Sequence, residues 1–354
     1  MIEVFYRPLT DHEAFLGDWR DLFALSDQAS FFQSPYWMSA WLQNAPRKAR
    51  LFQIGATVNG VTVALGVVSA APRTPPVLGL QESWFFEFGD TARDAVYIEY
   101  NDLLIATDAP SETRESIFNG LFEAMGGNDN FVLRNLRPEA VNAVRARAEV
   151  HELYSRTLHE QPVYVCDLTQ GETLDGLRKS LQTKIRRSKS LYESRGALTA
   201  GVAQSDSEKS AAWDALVRLH GESWKARGKP SVFDNPNLVS FHNALATAAP
   251  NALDLFVVKV GDETIAVLYN FIHEKRVMNY QTGLKFEDDN RLAPGFVAHF
   301  LAAEHYQRAG FETYDLLAGD ADYKQRLGTV ETTLTSLVLE RPTWRNRLRS
   351  LIKR

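Results

Sequence analysis

The chain has 354 residues, and at roughly 150 residues per domain that leaves room for two cores. Hydrophobic residues make up 45% and charged residues 23%, a balance that excludes a disordered, collagen-like or disulfide-stapled chain. A net charge of −5 excludes a nucleic-acid coat, and the lone Cys166 has no partner for an internal disulfide and points to a reducing compartment.

In chain order, the opening MIEVFYRPLTDHEAF has no basic segment followed by an apolar one, and no run approaches the roughly 18 apolar residues of a membrane span. A cytoplasmic protein is therefore expected. Helices are expected over residues 18–25 and 35–42, the second with Trp37, Trp41 and Leu42 on one stripe. Residues 51–58 and 61–70 read as strands joined by Asn59-Gly60, a two-residue hairpin signal. A strand is expected over 97–105, then a helix from about Ser111 that closes near Gly126-Gly127, then a strand over 131–136. A strand over 163–168 lies in the connecting segment.

The second half repeats much of this order. Residues 252–260 and 264–273 form a hairpin around Gly261-Asp262, 276–282 a third strand, 294–309 a helix closed by Gly310, and 311–317 the strand after it. The pattern predicts a duplicated mixed α/β unit, with halves at 1–160 and 161–340 and a basic tail at 341–354.

Four segments carry residues suited to chemistry. A helix expected over 173–194 places Leu177, Leu181, Ile185 and Tyr192 on one stripe and Arg178, Lys179, Lys184, Arg186, Arg187 and Lys189 on other faces. That pattern suits a phosphate-rich ligand, and equally a solvated amphipathic helix. In WDALVRLHGESWKARGKPSVF, Trp213, Leu216, His220 and Trp224 share a helical face, and Arg227-Gly228-Lys229-Pro230 ends it. Trp224, Arg227 and Phe233 could line an acceptor pocket with His220 as acid or base, or simply pack in a core.

In YQTGLKFEDDNRLAPG a strand leads through an acidic loop to a helix opened by Pro294. Gly295 would let a ligand approach the backbone, and Arg291 could add charge beside the helix N-terminus, a natural anion site. In YDLLAGDADYK, Asp315, Tyr323 and Lys324 could form a polar cluster in an open-sheet crevice, with Lys324 stabilising charge on an acyl oxygen. A plain ion pair of Asp315 or Asp320 with Lys324 fits the same letters. Scattered histidines and one cysteine argue against a metal site.

From Leu177 to about Leu327 these motifs, in this order, resemble the CelD/BcsL group of GNAT-superfamily acyltransferases. The matching pieces are LRKSLQTKIRRSKSLYESRG, WxxLxxLHxxxWxxRG, YQTG, APG and FETYDLLAGDADYK. The resemblance implies two tandem GNAT-like units, each a mixed, mostly antiparallel sheet flanked by helices, as in the related FemABX-type aminoacyl transferases. It implies that Tyr280 and Gln281 lie on the donor strand, and that Arg291, Pro294 and Gly295 lie near the phosphates of acetyl-CoA or another acyl-CoA. It also implies a catalytic role for Lys324 after the aromatic Tyr323. The glycine-rich phosphate loop of ordinary GNAT proteins is here reduced to Arg291-Leu292-Ala293-Pro294-Gly295, which sets coenzyme A use apart as a question.

The expected activity is acyl transfer from a thioester to an amine, on an amino sugar in exopolysaccharide or envelope synthesis, without a metal. Tyr280, His220 and Asp315 are the candidates for accepting the amine proton. An aminoacyl-tRNA-dependent transferase and a non-catalytic scaffold subunit are the alternatives. The tail RPTWRNRLRSLIKR, basic and free of acids, suits a peripheral contact with the inner membrane or a nucleotide, or a frayed terminus.

Overall fold

The computed structural model describes residues 1–72, 80–124, 126–171 and 176–352. The chain opens with β1 (Ile2–Pro8), α1 (His12–Phe23), α2 (Pro35–Gln43), β2 (Arg50–Val58), β3 (Val61–Pro72), β4 (Gln81–Phe85) and β5 (Leu104–Ile105). It continues through α3 (Thr113–Ala124), β6 (Asn130–Leu136), α4 (Pro138–Val150), β7 (Tyr154–Asp167), α5 (Lys179–Glu193), β8 (Leu198–Val202), α6 (Asp206–Ala226) and α7 (Pro236–Ala248). The remainder is β9 (Leu253–Val260), β10 (Glu263–His273), β11 (Arg276–Leu284), α8 (Pro294–Arg308), β12 (Thr313–Ala318), α9 (Asp322–Leu327), β13 (Thr329–Glu340) and α10 (Trp344–Ile352).

Local chemistry explains many of these boundaries. Asn59 and Gly60 both take positive φ, 52° and 79°, as a two-residue hairpin turn requires. Ser205 and Glu208 close a reciprocal capping box at the start of α6. Pro294 opens α8 and Gly310, at φ 84°, follows its end.

Two compact units emerge. Unit 1 comprises residues 1–161, 237–248 and 333–354; unit 2 comprises 162–236 and 249–332. In unit 1 the strand order is β1-β2-β3-β4-β6-β13, antiparallel except for β4 beside β6. Its core is aromatic: Trp19, Trp37, Phe15, Phe31, Phe32, Phe85, Phe118 and Phe122 are fully buried, and Phe241 of α7 meets Trp37 edge-on at 4.8 Å. In unit 2 the order is β7-β12-β11-β10-β9-β8, antiparallel except for β11 beside β12. Its core runs from Leu181, Ile185 and Tyr192 of α5 to Val297, Ala302 and Tyr306 of α8.

Adjacent strand residues point to opposite faces. Tyr269 meets Trp213 of α6, whereas its neighbour Asn270 donates to the Tyr306 hydroxyl of α8. Helices α6 and α8 therefore cover opposite faces of the unit 2 sheet.

Several expected elements differ. The helix expected over 18–25 begins at His12, because Asp11 caps it by accepting from the Ala14 amide at 2.9 Å. Only Leu104–Ile105 of the strand expected over 97–105 pairs in a ladder, since Tyr100 turns the chain with φ 52°. The strand expected over 163–168 is the end of β7, which starts at Tyr154. The helix expected over 173–194 runs from Lys179, so Leu177 and Arg178 precede it; residues 172–175 lie outside the described residues. Strand β4 escapes a hydrophobicity pattern because it buries Glu82 and Ser83, with Asn130 donating to the Glu82 carboxylate at 3.0 Å.

Candidate active site

The parallel pair β11 and β12 is joined at one end only. Arg276, Val277 and Met278 pair with Thr313, Tyr314 and Asp315, yet β11 runs on to Leu284 and β12 to Ala318. Beyond Met278 the strands part, and among the described residues no strand or bridge lies between 279–284 and 316–318. Parallel strands open a crevice at their carboxyl ends, where ligands of α/β sheets gather. Both connections out of this pair return there: α8 starts after β11, and α9 after β12.

Unit 1 has the same motif in a closed form. Strand β4 pairs with β6 from Glu82–Asn130 to Phe85–Leu133 and then turns away at Phe86, φ 53°. Its gap is filled by its own chain. The Asn101 amide donates to the Asn135 carbonyl at 2.9 Å, and the Arg137 amide to the Asn101 carbonyl at 3.1 Å. The Asn101 side chain donates to the Arg134 carbonyl at 3.0 Å. Among the described residues, parallel strands whose carboxyl ends part without another chain segment pairing between them are thus a feature of unit 2.

Lys324 stands at the end of β12. Its Nζ donates to the carbonyls of Leu317 at 3.2 Å and Ala318 at 2.6 Å. The geometry depends on local backbone: Leu317 has φ 62° and Gly319 φ 127°, and a Cβ on Gly319 would sit 3.4 Å from Nζ. Helix α9 packs along the first turns of α8, with Tyr323 stacked on His299 at 5.3 Å and the Arg326 guanidinium 4.9 Å from the Phe296 ring centre. His299 is buried, its Nδ1 2.8 Å from the Tyr314 hydroxyl. Burial, reinforced by the Lys324 charge, pushes its imidazole down to about 3.

At the start of α8 the Ala293 amide donates to Ser188 Oγ of α5 at 2.9 Å. The following amides, of Gly295 and Phe296, have no intrahelical acceptor and stand at the positive end of the helix dipole. Lys184 of α5 lies 5.2 Å from the Phe296 ring centre, opposite in sequence to Arg326. Arg291 is bound by Asp289, with Nε to Oδ1 at 2.9 Å and Nη2 to Oδ2 at 2.7 Å, and that contact holds the Asp289 carboxyl well below its ordinary range.

On the α6 face, rings form a wall beside β11. Tyr280 stacks on Phe271 at 4.6 Å, Tyr269 lies 5.6 Å from Trp213, and Phe233 lies 5.6 Å from Trp213 and 5.1 Å from His220. His220 stacks on Trp224 at 5.3 Å, and its Nδ1 lies 2.8 Å from Ser231 Oγ. Burial, with a contribution from Arg227, pushes His220 down to about 4, against a partial pull from Asp234. Through the sheet runs a directed hydrogen-bond chain: Thr282 donates to Asn279, Asn279 to Asn270, Asn270 to Tyr306, and Tyr306 to Asp254. It locks β11 where a register irregularity displaces Tyr280 from the ladder.

Of the residues singled out from sequence, Lys324, Tyr323, Pro294 and Gly295 gather at the crevice on the α8 side. Tyr280 and Gln281 lie on its β11 rim, and Trp224, Phe233 and His220 lie on the α6 face. Arg227 is exposed just past α6. Asp315 is fully buried and bound to Arg276 at 2.9 Å, while also accepting from the Leu317 amide. Asp320 accepts from Tyr164 and Gln325. Sequence reasoning missed His299, Asn279, Thr282, Ser188 and Arg326. His299 reads as one more residue on an apolar helix face, and nothing in its neighbours signals Tyr314 or Lys324.

Residues 179–325 match a family model described as an acetyltransferase (GNAT) domain. No curated protein matches the sequence. Among solved structures, the crystal structure of FemX superposes with TM-score 0.60 at 11% identity, over 96% of this chain and 98% of that one. A tandem GNAT protein from the clavulanic acid biosynthesis pathway gives 0.53 at 12%, over 96% and 100%. L-PGS from Bacillus licheniformis gives 0.51 at 10%, over 95% and 94%. At these identities the likeness is one of fold: a mixed α/β, tandem GNAT-like architecture.

Proposed function

We propose that the protein is an N-acyltransferase that moves an acyl group from a thioester donor, such as acetyl-CoA, to the amine of an amino sugar in exopolysaccharide or envelope synthesis. The observation that carries this reading is the parting of β11 and β12 beyond Met278, with Lys324 and the α8 N-terminus at the strand ends and a wall of aromatic rings on the α6 face. A GNAT domain match over the same residues supports it.

The residues around α8 suit an acyl-CoA. The Gly295 and Phe296 amides, the helix dipole, Lys184 and Arg326 all offer positive potential to phosphates. Arg291 joins them only by leaving Asp289. The bound donor supplies an activated thioester carbonyl; the amine nitrogen takes the acyl carbon from sulfur, and the proton lost by the amine balances the departing thiolate. Lys324, fixed by two carbonyls, keeps a positive charge at the end of β12 where charge develops on the acyl oxygen. Sugar rings pack well on accessible aromatic faces, and Trp213, Trp224 and Tyr280 are each half-buried, leaving part of the ring within reach. Burial holds His220 neutral at pH 7 and makes it a weak base, and Asp315 is already held by Arg276, so Tyr280 is the remaining candidate for taking the amine proton.

The test is thiol release by purified protein from acetyl-CoA and longer acyl-CoAs in the presence of amino sugars. Lys324→Ala is expected to lower kcat by about 10²–10³-fold with native circular dichroism; full turnover by the folded variant removes Lys324 from the scheme. The engaged Arg291 and the basic surface of α5 favour a second reading, transfer from a charged tRNA. Acyl transfer from charged tRNA, abolished steeply by salt and without thioester consumption, would establish that reading instead.

A further inference from the structure

Lys324 stands on a helix that cannot place itself. Helix α9 has six residues, and its N-cap, Ala321, supplies no side-chain cap; a helix this short is marginal on its own. Its last turn is held by β7. A Cβ at Gly328 would stand 2.7 Å from the Val165 carbonyl oxygen, and Cys166 Sγ donates to the Leu327 carbonyl at 3.3 Å. On the exposed side Gln325 donates to Asp320 at 2.5 Å. The first turn, which carries Lys324, meets α8. There the Tyr323 ring lies flat on the His299 imidazole, with centres 5.3 Å apart and planes 12° from parallel.

His299 is itself fixed. It lies in the second turn of α8 and is 4% exposed, with Nδ1 2.8 Å from the Tyr314 hydroxyl of β12. Tyr314 stacks on Tyr306 at 6.2 Å, and the Tyr306 hydroxyl donates to Asp254 and accepts from Asn270. The imidazole is thus set in its plane from behind and offers one flat face to Tyr323. A leucine would suit the apolar helix around it but would offer no plane. Burial, with help from the Lys324 charge, keeps the ring neutral, so it stands beside the ammonium without repelling it.

We propose that His299 is a positioning residue for the transfer reaction: through its stack on Tyr323 it fixes the first turn of α9, and with it the place of the Lys324 ammonium at the end of β12. The kinetic consequence rests on the transferase reading, whereas the contact does not, so the two can fail separately.

Two readouts test the role. The first is the carbon-13 resonance of Lys324 Cε in protein with labelled lysines, assigned with Lys324→Arg. His299→Leu is expected to move it towards the resonances of exposed lysines, and His299→Phe, which restores a flat ring, to return it close to the wild-type position. The second is thiol release from acetyl-CoA in the presence of an amino sugar. His299→Leu should lower kcat by about tenfold to 10²-fold with KM for acetyl-CoA within about twofold of wild type, and His299→Phe should recover most of the loss. Should His299→Leu fail to fold, Tyr323→Leu removes the other ring of the stack from its half-buried side and is expected to displace the resonance equally. Where all fold, the double variant should be no worse than the worse single one, because both remove the same contact. A Lys324 resonance that neither leucine variant moves, full turnover by His299→Leu, or equal losses in His299→Leu and His299→Phe would overturn the proposal. Wild-type protein that releases no thiol counts against the transferase reading alone, and the resonance then decides the role of His299.

Discussion

His299 is a buried imidazole between Tyr314, Tyr323 and the Lys324 charge. Its ordinary value of 6.5 falls to about 3 in the folded protein, mainly through burial. Above pH 6.5 both folded and unfolded chains hold it neutral, so it has no effect on stability there. As the pH falls from 6.5 towards 3 the unfolded chain takes up a proton that the native chain refuses, and stability is lost. His242, pushed down to about 3 by burial, and His220 act with the same sign. Replacing His299 with Gln should therefore flatten the loss of stability between pH 7 and pH 5 by about 2 kcal/mol. Urea melts at the two pH values measure this, and an unchanged difference would mean that His299 titrates in the fold as it does in the unfolded chain.

At the scale of elements, the gap depends on how closely α6 lies on β11. A Cβ at Gly283 would stand 2.8 Å from the Leu216 carbonyl and 3.1 Å from its Cα, both backbone atoms that cannot swing aside. Gly283→Ala should cost about 1–3 kcal/mol and, by pushing the β11 rim, weaken donor binding. A Cβ at Gly201, on β8, would meet nothing within 4 Å, so Gly201→Ala serves as the control, expected within about 0.5 kcal/mol of wild type. Equal melting of the two variants would remove close packing at Gly283 as the reason for glycine there. Helices and hairpins of this unit were legible from Pro294, Gly310 and Gly261-Asp262 because each signal acts over a few residues. Short polar elements were not: α9 has six residues, and buried polar β4 carries no apolar alternation.

At the scale of the whole chain, each unit is completed by distant sequence. Strand β13 pairs with β6, from Thr335–Leu136 to Glu340–Asn130, and Phe241 enters the aromatic core beside Trp37. A fragment of residues 1–161 should therefore fail to fold cooperatively, because it exposes the edge of β6 and leaves a cavity at Trp37. A sharp urea transition with native near-ultraviolet dichroism in that fragment would refute this.

By itself the amino-acid sequence determined the turns, caps and amphipathic stripes, and through the ordered motifs from Leu177 to Leu327 the kind of fold they build. It also marked Lys324, Tyr280 and Gly295 as residues worth watching. Only the tertiary structure decided that the strand pair of unit 2 parts where that of unit 1 is bridged by Asn101, that Asp315 is bound by Arg276, and that the Lys324 charge reaches buried His299. The reason is range. A cap or turn is an interaction among neighbours, whereas the crevice is created by pairings such as Thr313 with Asp167, and no short window of sequence contains both partners.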